Sequence, residues 1–254
     1  MKTLKNLTNF TYDIFFLAYK VFTQFWKKPI YYKIIIRNMY DFGYHSLLTI
    51  LILGVSTGGV LALQIGKSIE RYGAKLYLPK IMSLAIIGEF APVLTSIILA
   101  GRIGAGITSE IGTMKVTEQI DAIRALGVSH IKRVIAPKVL ACLLIIPILC
   151  LFMGVVAVIT GAVIAKSALS LDPVFFITKA LYTPPFSFFV FNFSKTFFFA
   201  LCISLVACHY GLNTTHGAYE VGKATMQAVV TSFLLIVSFD LVLIRLYYMW
   251  LHSF

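Results

Sequence analysis

Five stretches of the chain, about residues 43–66, 81–109, 134–165, 193–210 and 224–250, are apolar over nearly their whole length. Hydrocarbon offers the backbone no hydrogen bonds, so a segment crossing it must satisfy its own N–H and C=O groups as a helix or close into a barrel. Runs of about 20 residues match a helix across a bilayer, whereas a membrane strand needs only about 10. The fold class that follows is all-α and integral to a membrane, with about five transmembrane helices.

Composition agrees: of 254 residues, 59% are hydrophobic and 13% charged, and the mean hydropathy is +0.89, outside the range of ordinary soluble domains. The net charge of +12 does not indicate nucleic acid, because the lysines and arginines sit beside apolar runs, where anionic headgroups attract them. Cys142, Cys150, Cys202 and Cys208 all fall inside apolar runs without a Cys-x-x-Cys pair. Buried reduced thiols are expected, with neither a metal site nor a disulfide framework. No apolar core followed by a small-residue cleavage site follows the first lysines, so no cleavable signal peptide is expected.

Residues 1–42 are basic and aromatic. Between Phe10 and Lys28, Asp13, Lys20, Gln24 and Lys27 share one helical face, and Ile14, Phe15, Leu17, Val21, Phe22 and Phe25 cover the rest. This pattern predicts an interfacial helix in the headgroup layer, ended by Pro29. Gly54, Gly58 and Gly59 in the first span permit a close helix contact or a break. A charged connector, 67–80, leads to the second span. Asp172-Pro173 predicts a helix start, with a short helix to about Leu181. Asn192 and Lys195 put the bilayer portion of the fourth span near 193–210, and 211–223, with His209 and His216 at its edges, reads as a loop. Lysine and arginine bias between the loops favours a cytoplasmic N-terminus.

Between the second and third spans, residues 117–126 predict a short, well-punctuated helix. Thr117 is the expected N-cap, Glu118 and Asp121 place acids in the first turn, Arg124 lies in the last turn, and Gly127 stops it. Val116, Ile120, Ile123 and Leu126 form an apolar face opposite Glu118, Gln119, Asp121 and Arg124. Too short to cross a bilayer, it belongs at a membrane surface, where it either docks on a partner or turns the chain.

Four charges in or at the end of the spans are candidates for a role in the site or in packing. Glu89 costs roughly 3 kcal/mol in hydrocarbon unless it faces a cavity or partner; about 20 Å of helix separates it from Arg102, so the two do not pair. Asp240 either lines the same cavity as Glu89 or pairs with Arg245 or a backbone group. Arg102 and Glu110 read as structural, Arg102 tying helices together and Glu110 capping or orienting the 117–126 helix. Ala100, Gly101, Gly104, Ala105 and Gly106 are small enough for tight packing, within the chain or between copies.

Glu89 with Pro92, Ala100-Gly101-Arg102-Ile103-Gly104-Ala105, Glu110-Ile111-Gly112-Thr113-Met114, Thr117-Glu118-Gln119-Ile120-Asp121-Ala122 and Ala136-Pro137 together resemble the signature of MlaE-type permeases, membrane subunits of phospholipid-moving ABC transporters. Gly88, and Phe90-Ala91, depart from that pattern. The resemblance implies a homodimer in the bacterial inner membrane, bound to ABC ATPase subunits and to a periplasmic MCE-domain lipid carrier. It implies a lipid cavity, for which Glu89, Phe90, Gln64 and Asp240 are the candidate lining residues. It also implies that Thr117, Glu118, Gln119, Asp121, Arg124 and Leu126 form the helix that couples to the ATPase. The chain has no Gly-x-x-x-x-Gly-Lys-[Ser/Thr] loop, so ATP is expected to be used by the partner subunit, and no cofactor, metal or catalytic residue is assigned here. An ion-coupled carrier, or an intramembrane lipid-modifying enzyme using Glu89, is the alternative reading.

Overall fold

The computed structural model describes residues 2–25, 31–215 and 217–252, and among them no strand occurs. Eight helices follow one another: α1 (Lys2–Phe25), α2 (Tyr32–Glu70), α3 (Lys75–Val116), α4 (Gln119–Ala125), α5 (Ile131–Leu169), α6 (Pro173–Tyr182), α7 (Phe186–Leu212) and α8 (Gly217–His252). Five of them, α2, α3, α5, α7 and α8, are long and apolar enough to cross a membrane.

The spans exceed the sequence estimates at their ends. Helix α2 begins at Tyr32, within the stretch expected to be an interfacial segment, and α8 begins at Gly217, within the stretch expected to be a loop. His209 lies in α7 and not in a loop. Polar residues at a bilayer surface add helical hydrogen bonds without changing hydropathy, so an apolar run marks the hydrocarbon crossing and not the helix end. Pro29 and His216 lie outside the described residues.

The helices form two compact units, and each of the five long helices gives a segment to both. The first comprises the described parts of Met1–Phe42, Leu99–Ile145 and Phe199–Phe239. In it, Leu17 and Val21 of α1 are buried, as are Ile131, Val134 and Ile135 at the start of α5, and Ser129 donates to the Gln24 side chain at 2.6 Å. Tyr12, Phe15, Tyr19 and Phe22 are exposed. Helices α3 and α7 meet where Gly211 lies against Ile111, and Thr108 donates to the carbonyls of Gly104 and Ala207.

The second unit comprises the described parts of Gly43–Ile98, Ile146–Phe198 and Asp240–Phe254. Gly54 and Gly58 do not break α2; they let it close on α5. A Cβ at Gly58 would collide with the Ala157 carbonyl, and one at Gly161 with the Met82 side chain. The expected start of α6 is present: the Asp172 side chain accepts from the Phe175 N–H at 2.9 Å, with Pro173 at the first helical position. The four cysteines are free and buried or half-buried.

Helix α3 is not uniform. Ile86–Leu94 and Ala100–Gly104 are π-helical, and Pro92 lies inside the first of these segments. A proline has no N–H to return to the preceding turn, and widened turns are one way a helix absorbs it.

Gly58→Ala should lower the thermal midpoint of the detergent-solubilised protein by the equivalent of about 1–3 kcal/mol, the usual cost of forcing an atom into a filled contact. Gly106→Ala, where nothing lies within 4 Å of the added Cβ, should leave it unchanged, and equal effects would show that the contact at Gly58 is not tight.

Candidate functional site

In the second unit, the side chain of Lys195 on α7 is 1% exposed, and its ammonium is answered by groups on two other helices. Nζ donates to Asp240 Oδ1 on α8 at 3.0 Å, to Glu89 Oε1 on α3 at 3.4 Å, and to the Gly88 carbonyl at 3.3 Å. The Phe191 ring adds a cation–π contact, 5.6 Å to its centroid. In a regular α-helix the Gly88 carbonyl would accept from the N–H of residue 92, which is proline and has none. Lys195 brings this carbonyl a donor from another helix, and the two carboxylates balance the charge that this puts into an apolar unit.

Beside this cluster is a cavity of about 350 Å³. Ile87 and Pro92 of α3, Cys150 and Gly154 of α5, Ile177 of α6 and Phe193 of α7 are among its lining. Its polar lining group, Asn192, gives its amide N–H to the Phe188 carbonyl at 2.8 Å, which leaves a surface suited to hydrocarbon.

In the first unit, α4 is built as a short, pinned element. The N-cap position belongs to Glu118, at φ +60° and without a side-chain cap, and not to Thr117, whose hydroxyl turns back to the Thr113 carbonyl. A sharp turn from α3 into α4 requires one left-handed residue, and this consumes the position that a capping side chain would have used. The other end follows expectation, with Gly127 at φ +73°. Asp121 receives Lys115 at 2.7 Å and Arg124 at 3.3 Å, and the Arg124 guanidinium reaches His130 at 3.2 Å. The Lys115 ammonium holds the Asp121 carboxyl below its ordinary value. Burial, and then the charges of Arg124 and Lys20, hold the His130 imidazole below its own. Ile120 is buried, whereas Leu126 is 80% exposed, and Glu118, Gln119, Ala122 and Ala125 are exposed with it.

The profile described as Permease MlaE matches residues 35–246. The chain belongs to the MlaE permease family. Among relatives of this MlaE-family permease, a probable ABC transporter permease protein of Synechocystis is 36% identical over 87% of the chain and 84% of its own length. One from Rickettsia bellii is 33% identical over 93% and 91%. The intermembrane phospholipid transport system permease protein MlaE of Haemophilus influenzae is 28% identical over 84% and 82%.

Within this MlaE-family permease, the candidate cavity residues fall in different places. Glu89 and Asp240 come together, through Lys195 and not through Arg245. Phe90 is half-buried on α3, and Gln64 is exposed on α2; none of the four is in the lining of the 350 Å³ cavity. Arg102 is exposed in the second π-helical turn. Glu110 does not cap α4: it pairs with Lys138 of α5, whose side chain is 5% exposed, because a lysine buried on the neighbouring span needs the carboxylate more than an exposed helix end does. Sequence reasoning used Lys195 and Asn192 only to mark where the bilayer begins, whereas both are buried. The available signal was arithmetic: a lysine inside an apolar run needs an acid, and Glu89 and Asp240 are acids inside two other apolar runs.

Lys195→Met leaves Asp240, 14% exposed, without its cation. It should destabilise the folded protein by about 3 kcal/mol in thermal unfolding, with Lys195→Met/Asp240→Asn recovering part of the loss. A neutral single substitution would remove the structural role given to the cluster.

Both shifted groups around α4 favour their deprotonated forms in the fold. The stability they add is therefore complete above the ordinary imidazole value of 6.5 and falls as the pH drops, through His130 first and then, below 3.8, through Asp121. Amide exchange in Gln119–Ala125, corrected for intrinsic rate, should be faster at pH 5.5 than at pH 7.5, and His130→Gln should flatten that difference.

Proposed function

We propose that the chain is the membrane subunit of an ABC transporter that moves phospholipid between the inner membrane and a periplasmic MCE-type carrier, working as a homodimer with a separate ATPase. The observation that carries this reading is the family match over residues 35–246. The Haemophilus influenzae relative, named for intermembrane phospholipid transport, gives the cargo. In this reading the N-terminus and α4 are cytoplasmic.

The chemistry of the site supports it in two ways. A cavity lined almost wholly by hydrocarbon suits an acyl chain, and the adjacent Glu89, Lys195 and Asp240 offer both signs of charge to a headgroup. Helix α4 carries the other half of the function. An exposed Leu126 next to Glu118 and Gln119 gives an apolar anchor with a polar rim, the composition of a small docking surface. Asp121 and Arg124 hold that surface rigid from within. Because α3 is continuous from Lys75 to Val116, a push on α4 is delivered to a span that also carries Glu89.

Proteoliposomes containing the permease and its ATPase should transfer a fluorescent phospholipid to a soluble acceptor only with ATP, and Glu89→Lys should slow the transfer. Transfer at full rate by the permease alone would overturn the reading in favour of an ion-coupled carrier. Leu126→Glu, or Glu118→Lys with Asp121→Lys, should strip the ATPase during affinity purification while the permease remains folded. Retention of the ATPase by both variants would remove α4 from the coupling role.

A further inference from the structure

A second cavity, of about 270 Å³, lies wholly within the first unit, between α1, the segment running from α4 to the start of α5, and the C-terminal end of α7. Its polar lining is Asp13 and Lys20 from α1, Arg124 and His130, and His209 and Asn213. The sequence pattern put Asp13 and Lys20 on one face of α1 but did not bring Arg124, His130, His209 or Asn213 to them, and apart from Arg124 none of the six has a part in the proposed transport cycle. The arrangement is unusual for an interfacial helix. The aromatic side of α1 is outward, with Phe15 76% and Tyr19 68% exposed, and its polar side contributes Lys20, half-buried, and Asp13, exposed, to the lining of the pocket.

The chemistry of the pocket is directional. Lys20 lies 3.9 Å from the centroid of the Phe16 ring, which steadies the ammonium without neutralising it. Arg124 is anchored by Asp121 and His130, which fixes its plane. Asn213 brings a further N–H group, its amide 3.1 Å from the His209 ring. Donors and cations of this kind collect an oxyanion, and a phosphate offers enough acceptor oxygens to engage several of them at once. Asp13 is the exception, a lone carboxylate in the lining. It stands seven residues before Lys20, about 10 Å along the helix axis, so each side chain can reach one end of a short dipolar group.

We propose that this pocket is a headgroup site for a membrane phospholipid that carries a primary ammonium: the phosphate sits on Lys20 and Arg124, and the ammonium turns to Asp13. The exposed aromatic side of α1 sets the helix in the headgroup layer, and so brings the pocket to the depth at which such a group is found. This site is separate from the Glu89 cluster and does not rest on the transport reading. Occupancy would tie α1 to the base of α4 through a lipid of the surrounding leaflet.

Native mass spectrometry of the full-length protein in detergent, titrated with dioleoylphosphatidylethanolamine, dioleoylphosphatidylglycerol or inorganic phosphate, tests the assignment. Wild type should retain one more phosphatidylethanolamine than Lys20→Met, whose affinity at that site should be about tenfold weaker, the loss of one charge-assisted contact. Lys20→Arg should restore it. Asp13→Asn should bring the phosphatidylglycerol affinity up to that for phosphatidylethanolamine. Unchanged melting of Lys20→Met and Asp13→Asn separates lost binding from lost folding. Equal retention by wild type and Lys20→Met overturns the site. Equal affinity of wild type for the two lipids overturns the role of Asp13, and occupancy by inorganic phosphate with no lipid preference assigns the pocket to a soluble anion.

Discussion

One ammonium group, that of Lys195, holds three helices of the second unit in register. Its acceptors belong to α3 and α8, and it projects from α7. A lysine in an apolar surrounding costs several kcal/mol unless its donors are matched. Here they are matched by one carbonyl and two carboxylates. The requirement runs in both directions, since the carboxylates, Asp240 above all, would be costly without the lysine. The three charges therefore behave as one structural fact: none of them is tolerable alone, and their common position fixes how α3, α7 and α8 meet. Because Glu89 keeps 45% of its side chain exposed, solvent screening weakens its share, and the Lys195–Asp240 pair carries more of the constraint.

The sequence revealed most of what hydropathy and local chemistry control. The five spans, the Asp172-Pro173 start of α6, the buried thiols and the stop at Gly127 all follow from short-range rules, and all are present. The pairings were less visible. Lys195 lies 106 residues from Glu89 and 45 from Asp240, and no periodicity within one helix predicts which faces of separate helices will meet. Glu110 shows the same limit, since a nearby surface helix looked like its natural partner until Lys138 from the next span was brought beside it. Helix ends were hidden for a different reason: residues 32–42 and 217–223 are polar enough to read as non-membrane, yet a helix continues past the hydrocarbon wherever its hydrogen bonds remain satisfied.

Small residues and charges divide the packing between them. In the second unit Gly58 lets the backbones of α2 and α5 approach so closely that a methyl group would not fit, and Gly161 makes room for the Met82 side chain, which supplies dispersion contacts where lipid offers no hydrophobic drive for association. In the first unit the Thr108 hydroxyl and the Glu110–Lys138 pair do comparable work with polar groups. The contacts have different directional demands. A glycine contact tolerates sliding along a groove, whereas an ion pair between spans fixes register to within a fraction of a turn. Helices that carry both are held close by the first and indexed by the second.

The π-helical segment Ile86–Leu94 is where these demands converge. Ile87, Ala91 and Pro92 line the apolar cavity, while Gly88 and Glu89, interleaved with them in sequence, turn to Lys195. A regular α-helix advances 100° per residue; the wider π turns and the missing Pro92 N–H let one short segment present a hydrocarbon wall and a charged edge together. Opposite it, α7 repeats the division, with Asn192 and Phe193 toward the cavity and Lys195, less than one turn onward, toward the acids. Any rotation of α3 about this segment must therefore alter the shape of the cavity and the charge cluster at the same time. The arrangement couples the space available to an acyl chain to the number of contacts that Lys195 retains, and it does so with three residues of α3 on one side and two on the other.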